Sequence, residues 1–199
     1  MMGSSYFTNP IAFLVRTLFE IYIAVVMIRF LLQWARADFY NPISQFIVRV
    51  TSPVLRPMRQ FIPGYGGLDI ASLVLAWALK ALELALLAAI YGLGSKALGA
   101  LLWAIPALIG LVLNILLFSI LIHAVLSWVN PDPYNPAVSL LRELTAPILR
   151  PARQLLPPIG GLDLSPMVVM IVIVLLQMLI LPPIELLTGS LAGNLGVPL

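Results

Sequence analysis

Apolar residues run almost unbroken from about Pro10 to Trp34, Ile70 to Tyr91, Leu98 to Trp128 and Leu164 to Leu187. A helix of about 20 residues crosses the hydrocarbon of a bilayer, so each stretch predicts one membrane span. The third is long enough to tilt or to bend at Pro106. The short link Gly92-Leu93-Gly94-Ser95-Lys96 between the second and the third predicts a tight hairpin. The connections after the first and third stretches have a different pattern. In them Ile43, Phe46, Ile47 and Val50, and again Ala137, Leu140, Leu141 and Leu144, recur at i, i+3, i+4 and i+7. That period gives a helix one apolar stripe, suited to lying in the membrane interface. Asn41 and Asn135 fit the N-cap, with Pro42 and Pro136 at the first helical position. Pro53 and Pro57, like Pro147 and Pro151, remove backbone donors and predict a break into two short segments.

The two connections are also copies of each other. Trp34, Asn41, Thr51, Arg56, Arg59 and Asp69 recur as Trp128, Asn135, Thr145, Arg150, Arg153 and Asp163, without a gap, at the 94-residue offset between Trp34 and Trp128. Spacing kept over such a length means a tandem duplication, with units expected at 1–97 and 98–199. The predicted fold is an all-α membrane protein of four transmembrane helices in two parallel tandem repeats, each with a short amphipathic interfacial helix. Gly66-Gly67 and Gly160-Gly161 permit a sharp turn, Asp69 and Asp163 cap the next span, and Trp34 and Trp128 mark the interface.

Composition strengthens the membrane reading. Hydrophobic residues are 61% and charged residues 10% of the chain, with a mean hydropathy of +1.06, against roughly 45–50% and about 25% in soluble proteins. No cysteine is present, which removes disulfides, thiolate metal sites and thiol nucleophiles, and His123 is the single histidine. The net charge of +3 resides mainly in arginines of the repeated connections. Arginines beside spans report orientation or anionic lipid, so nucleic acid is not an expected partner. The Lys/Arg bias places both connections in the cytoplasm and both termini outside, with Lys96 opposite. Ala35-Arg36-Ala37 resembles a signal-peptidase site, yet no Lys or Arg precedes Arg16, and Glu20 and Arg29 interrupt the apolar run, so an uncleaved span is expected.

Candidate chemistry falls in two groups. In the connections, Arg49, Arg56, Arg59, Arg142, Arg150 and Arg153 are candidate contacts to anionic headgroups or a protein partner, the Arg56/Arg59 and Arg150/Arg153 pairs being suited to bidentate phosphate contacts. The same residues also fit plain membrane anchoring. Within the spans lie Arg16, Glu20, Lys80 and Glu83, each costly unless paired. Arg16–Glu20 and Glu20–Lys80 are expected pairs, read either as glue between spans or as an ion path. Arg29 sits close enough to the end of its span to snorkel, on one face with Gln33 and Arg36. His123 occupies the position equivalent to Arg29 and suits an inter-helix hydrogen bond better than a haem iron. No P-loop, Ser-His-Asp set, HExxH or CxxC occurs. Neither catalysis, a metal nor a cofactor is expected.

Tyr40-Asn41-Pro42, Thr51-x-Pro53, Leu55-Arg56-Pro57-x-Arg59, Pro63 and Gly66-Gly67-Leu68-Asp69, repeated from Tyr134 to Asp163, make the chain resemble the YggT family of bacterial membrane proteins in its two-copy, proteobacterial form. The resemblance implies an inner-membrane protein without an assigned enzymatic activity, linked to osmotic tolerance and potassium uptake. In relatives it implies division-site, nucleoid-distribution or cytochrome-assembly roles. It carries no active site. The expected function is therefore a non-catalytic scaffold or assembly factor whose partners are anionic lipids and a membrane protein or further copies of the chain. The alternative is an ion channel or an accessory subunit for ion uptake.

Overall fold

The computed structural model describes residues 3–129, 132, 134–155 and 163–193; the side chains of residues 3–8, 95, 96, 128 and 129 lie outside that description. The elements are α1 (Gly3–Trp34), α2 (Pro42–Phe61), α3 (Ile70–Ile90), a 3-10 segment (Gly94–Gly99), α4 (Ala100–Val129), α5 (Pro136–Leu155) and α6 (Ser165–Ala192). Asn9–Trp34, Ile70–Ile90, Ala97–Ser127 and Ser165–Ala192 are long and apolar enough to cross a membrane. The chain is a multi-pass, all-α membrane protein. Within each copy the spans pair, α1 with α3 and α4 with α6, and α3 against α4 joins the copies.

Helices α2 and α5 each continue through both prolines, contrary to the expected break. Pro53 deprives the Arg49 carbonyl of its helical donor, and side-chain bonds reach the carbonyls of the turn just before it. The Thr51 hydroxyl donates to the Ile47 carbonyl at 2.7 Å, and Arg29 Nη1 reaches the Val48 carbonyl at 3.4 Å. In the second copy the Thr145 hydroxyl donates to the Leu141 carbonyl at 2.9 Å. Leu55 and Leu149, both fully buried, hold the later turns against the bundle.

The apolar stripe of α2 divides between two environments. Ser44, Ile47, Thr51 and Leu55 form its buried face, whereas Phe46, Val50, Val54 and Phe61 are exposed on a neighbouring arc. In α5 the buried residues are Leu140, Leu144, Thr145 and Leu149. The second copy therefore buries the positions equivalent to Phe46 and Val50. It does so in a cluster shared with Leu31, Leu32 and Ala37 of the first copy. Asn41 Nδ2 donating to the Pro136 carbonyl at 2.7 Å, and the Asp38 amide donating to Glu143 at 2.8 Å, fasten the entry of α2 to α5.

Local chemistry sets the ends of these elements. α1 closes with Arg36 in the left-handed region (φ 54°), while the Ala37 amide donates to the Leu32 carbonyl at 2.9 Å, a Schellman-type stop. Asn41 caps α2 by accepting from the Ile43 amide, and Asn135 accepts from the Ala137 amide, both at 2.9 Å. Gly66 and Gly67 have φ of 59° and 82° between Tyr65 and Leu68, which exchange backbone hydrogen bonds. Two consecutive positive φ values are what glycine supplies cheaply. The corresponding Pro157, Gly160, Gly161 and Leu162 lie outside the described residues, as does the side chain of Trp128.

Candidate anion-binding cleft

The last turns of α1 and the polar face of α2 enclose a cleft of about 770 Å³, lined by Arg29, Arg49, Arg56 and Arg59 with Gln33, Gln45, Ser52, Phe39, Val48 and Pro53. Helical spacing explains the gathering: Gln45, Arg49, Ser52, Arg56 and Arg59 recur every three or four residues and so share one side of α2. Arg29 forms the floor and is only 5% exposed. Its Nη1 donates to the Thr51 hydroxyl and lies 3.4 Å from both the Val48 carbonyl and Ser52 Oγ. Gln33, one turn further along α1, donates to the Gly67 carbonyl at 3.2 Å and ties the span to the glycine turn.

Within each expected guanidinium pair the two arginines are partnered differently. Arg59 is ion-paired with Asp69, the residue whose carboxylate also caps α3 through Ser72. Arg153 repeats this with Asp163 at 2.8 Å, and Asp163 accepts from the Ser165 amide at 3.0 Å. These two arginines fasten the amphipathic helix to the start of the next span. Among the described residues no carboxylate pairs with Arg29, Arg49 or Arg56, and none pairs with Arg142 or Arg150.

Burial pushes the Asp69 carboxyl up, but hydrogen bonds from Arg59 and Ser72 and the Arg59 charge outweigh it and hold the group below the usual carboxylate range. Asp163 is lowered in the same way, its burial being outweighed by Ser165 and Arg153. Their contribution to stability is complete above the ordinary carboxylate value of about 3.9, and it is lost as pH falls through the depressed folded values. Asp69→Asn keeps a competent cap but loses the charged contact. It is expected to cost about 1–3 kcal/mol at neutral pH and to flatten the acid limb of a thermal-stability profile taken from pH 7 to pH 3. An unaltered acid limb would contradict this.

The second copy builds a different site from the same plan. His123 replaces Arg29, Glu143 replaces Arg49 and Ala146 replaces Ser52. His123 Nε2 faces Arg153 Nη2 and Nδ1 faces the Thr145 hydroxyl, each at 3.3 Å. A guanidinium can only donate, so Nε2 accepts and the proton rests on Nδ1. Both ring nitrogens are thereby committed to protein partners. Glu143 turns to the Asp38 amide and accepts from Ser139 at 3.3 Å. The dense cationic cleft belongs to the first copy. In the sequence Arg49, Arg56 and Arg59 stand out as candidate contacts, whereas Arg29 reads as a snorkelling residue; its spacing of one helical turn from Gln33 is the signal that places both on one face.

The same unit is recognised twice by comparison: the CCB3/YggT family pattern matches residues 8–90 and again 102–184. The chain belongs to the CCB3/YggT family. An uncharacterised Pseudomonas aeruginosa protein is 44% identical over 179 residues, covering 89% of this chain and 91% of the relative. An uncharacterised Vibrio alginolyticus protein from the proC 3' region is 43% identical over 165 residues, covering 82% and 89%. YggT of Escherichia coli K12 is 37% identical over 172 residues, covering 85% and 88%. No solved structure matches.

The intramembrane residues of this CCB3/YggT chain form a compact network. Arg16 pairs with Glu20 at 3.0 Å, Lys80 lies 3.7 Å from Glu20, and Lys80 Nζ lies 3.0 Å from both oxygens of Glu83. The network ties α1 to α3. In the second copy Asn114 and Gln177 stand at the positions of Glu20 and Glu83, and Gln177 Nε2 donates to Asn114 Oδ1 at 2.9 Å. The duplicated spans thus keep one cross-span link, ionic in one copy and neutral in the other. A second cavity, of about 560 Å³, lies between the copies beside Arg16, Glu20, Lys80, Asn114 and Glu185. Glu185 was not singled out by the sequence, because it follows Pro182-Pro183 at the edge of the fourth apolar stretch.

Proposed function

We propose that this protein is a non-catalytic scaffold or assembly factor of the bacterial inner membrane. Its arginine-bearing helices α2 and α5 engage anionic lipid headgroups and, through them or beside them, membrane-protein partners. The lysine and arginine bias supports a cytoplasmic position for these helices and an external one for the termini. The observation that carries the reading is the first-copy cleft, where Arg29, Arg49 and Arg56 converge with no carboxylate partner among the described residues. Charge without a protein counter-ion at a membrane surface attracts phosphate, and guanidinium binds it with directional hydrogen bonds. A role in tolerance of osmotic stress fits a protein that senses or organises the lipid surface.

The test spares Arg59 and Arg153, which fasten the fold. Replacing Arg49, Arg56, Arg142 and Arg150 together with glutamine is expected to lower anionic-lipid retention about tenfold or more, roughly 1.4 kcal/mol, and to abolish partner co-purification in mild detergent. Unchanged lipids and partners would sink the proposal.

The cavity between the copies favours one second reading, an ion-conducting or accessory subunit for ion uptake. It places Glu185 across from the Glu20–Lys80 pair. Ion flux in liposomes that disappears in Glu185→Gln supports it; flux no greater than in empty vesicles under a gradient removes it.

A further inference from the structure

The first-copy cleft carries more positive charge than a single phosphodiester group can satisfy. Arg59 is neutralised by Asp69, which leaves Arg29, Arg49 and Arg56 without a carboxylate among the described residues. A phosphodiester headgroup brings a single negative charge. It would leave two of these guanidiniums uncompensated, one of them the buried Arg29. A phosphate monoester carries about 1.5 to 2 negative charges at neutral pH and three strong acceptor oxygens, and a diphosphate carries more. The cleft also has room beyond one phosphoryl group, and Gln33, Gln45 and Ser52 add neutral donors on its walls. The second copy, with Glu143 in place of Arg49 and a histidine in place of Arg29, has given up this arrangement.

We propose that the cleft formed by α1 and α2 is a selective receptor for a lipid whose headgroup ends in a phosphate monoester or diphosphate, and that it discriminates against monoanionic phosphodiester lipids. This rests on the anionic-lipid reading and narrows it to one site and one ligand class. Two features assign the source to a lipid rather than a free phosphate. Arg29 belongs to the membrane-spanning segment of α1, five residues from its end. The cleft-forming helix α2 also exposes Phe46, Val50, Val54 and Phe61 on an adjoining arc, a surface made for acyl chains.

The experiment is a competition by native mass spectrometry on the full-length protein, using phosphatidic acid and phosphatidylglycerol with identical acyl chains. Phosphatidic acid is expected to be retained at least about tenfold better. Arg49→Glu, which installs the second copy's residue, brings the ratio to near one, and Arg49→Lys restores most of it. Arg49 is exposed, and a melting temperature recorded for each variant separates lost binding from lost folding. Equal retention of the two lipids by the parent protein overturns the selectivity while leaving general anionic-lipid binding intact; retention of neither overturns both. Inorganic pyrophosphate provides the remaining arm. Binding of pyrophosphate as tight as that of phosphatidic acid overturns the assignment to a lipid, and millimolar pyrophosphate failing to displace phosphatidic acid sustains it.

Discussion

Lys80→Met will be among the most destabilising single substitutions in this protein, lowering stability by about 3–5 kcal/mol. The reason lies in Glu83, whose side chain is 1% exposed and takes both of its ionic contacts from Lys80 Nζ. Lys80 itself is only 12% exposed. With the ammonium gone, Glu83 is left as a buried carboxylate without compensation, and it must either take up a proton or drag its surroundings open. Glu20 is less vulnerable, because it is 44% exposed, lines the cavity and keeps Arg16 as a partner. The double variant Lys80→Met/Glu83→Leu removes both charges and is expected to recover most of the loss, as apolar replacement of buried ion pairs commonly does. Thermal unfolding in one detergent at one pH decides the matter. Single and double variants melting together would show that the ionic link contributes through something other than compensation of Glu83.

That network also bears on the choice between structural link and ion path. If the duplicated position served conduction, both copies would be expected to keep ionisable groups there. Instead Asn114 and Gln177 preserve the contact and discard the charge. What the duplication retains is the geometry that holds two spans in register.

Much of this architecture was legible in the chain because it follows from local periodicity. The four spans, the Asn41 and Asn135 caps, the Asp69 cap and the Gly66-Gly67 turn each depend on a few neighbouring residues. So does the constant offset that reveals the duplication. The continuity of α2 through Pro53 was not legible, since it goes with the burial of Thr51 and Leu55, on either side of that proline, against the bundle. The division of the apolar stripe was hidden for a similar reason: only the packed bundle shows that Ile47 faces protein while Phe46 does not. In the cleft, the sequence displayed the arginines but not their partners. Two residues of one motif, Arg56 and Arg59, diverge because Asp69 is ten residues from Arg59 along the chain but adjacent to it in space. Symmetry misled in one respect, because conserved spacing suggested two equal sites, whereas Glu143 and His123 rewire the second.

Arg29→Met should reveal the cleft's purpose through opposite effects on the free and the lipid-bound protein. Arg29 spends a buried positive charge on hydroxyl and carbonyl contacts, with no carboxylate within ion-pair distance among the described residues. A methionine of similar reach removes that desolvation cost. Thr51 still donates its hydroxyl proton to the Ile47 carbonyl, so the substitution leaves no donor stranded there. The lipid-free variant is therefore expected to be as stable as the parent or more stable, because a buried charge without an ion-pair partner carries a desolvation cost that methionine does not. Added phosphatidic acid should stabilise the parent by about 2.7 kcal/mol at a hundredfold excess over its Kd. The variant should gain much less, because the floor of the cleft no longer carries charge. Melting curves for both proteins, with and without that lipid, make the comparison. A variant that is weaker in both conditions and still responds fully to phosphatidic acid would make Arg29 a structural strut, holding α2 through Thr51. The crossed pattern, firmer alone and indifferent to lipid, assigns its charge to the ligand, because a buried cation retained at a cost in stability requires an anion to offset it.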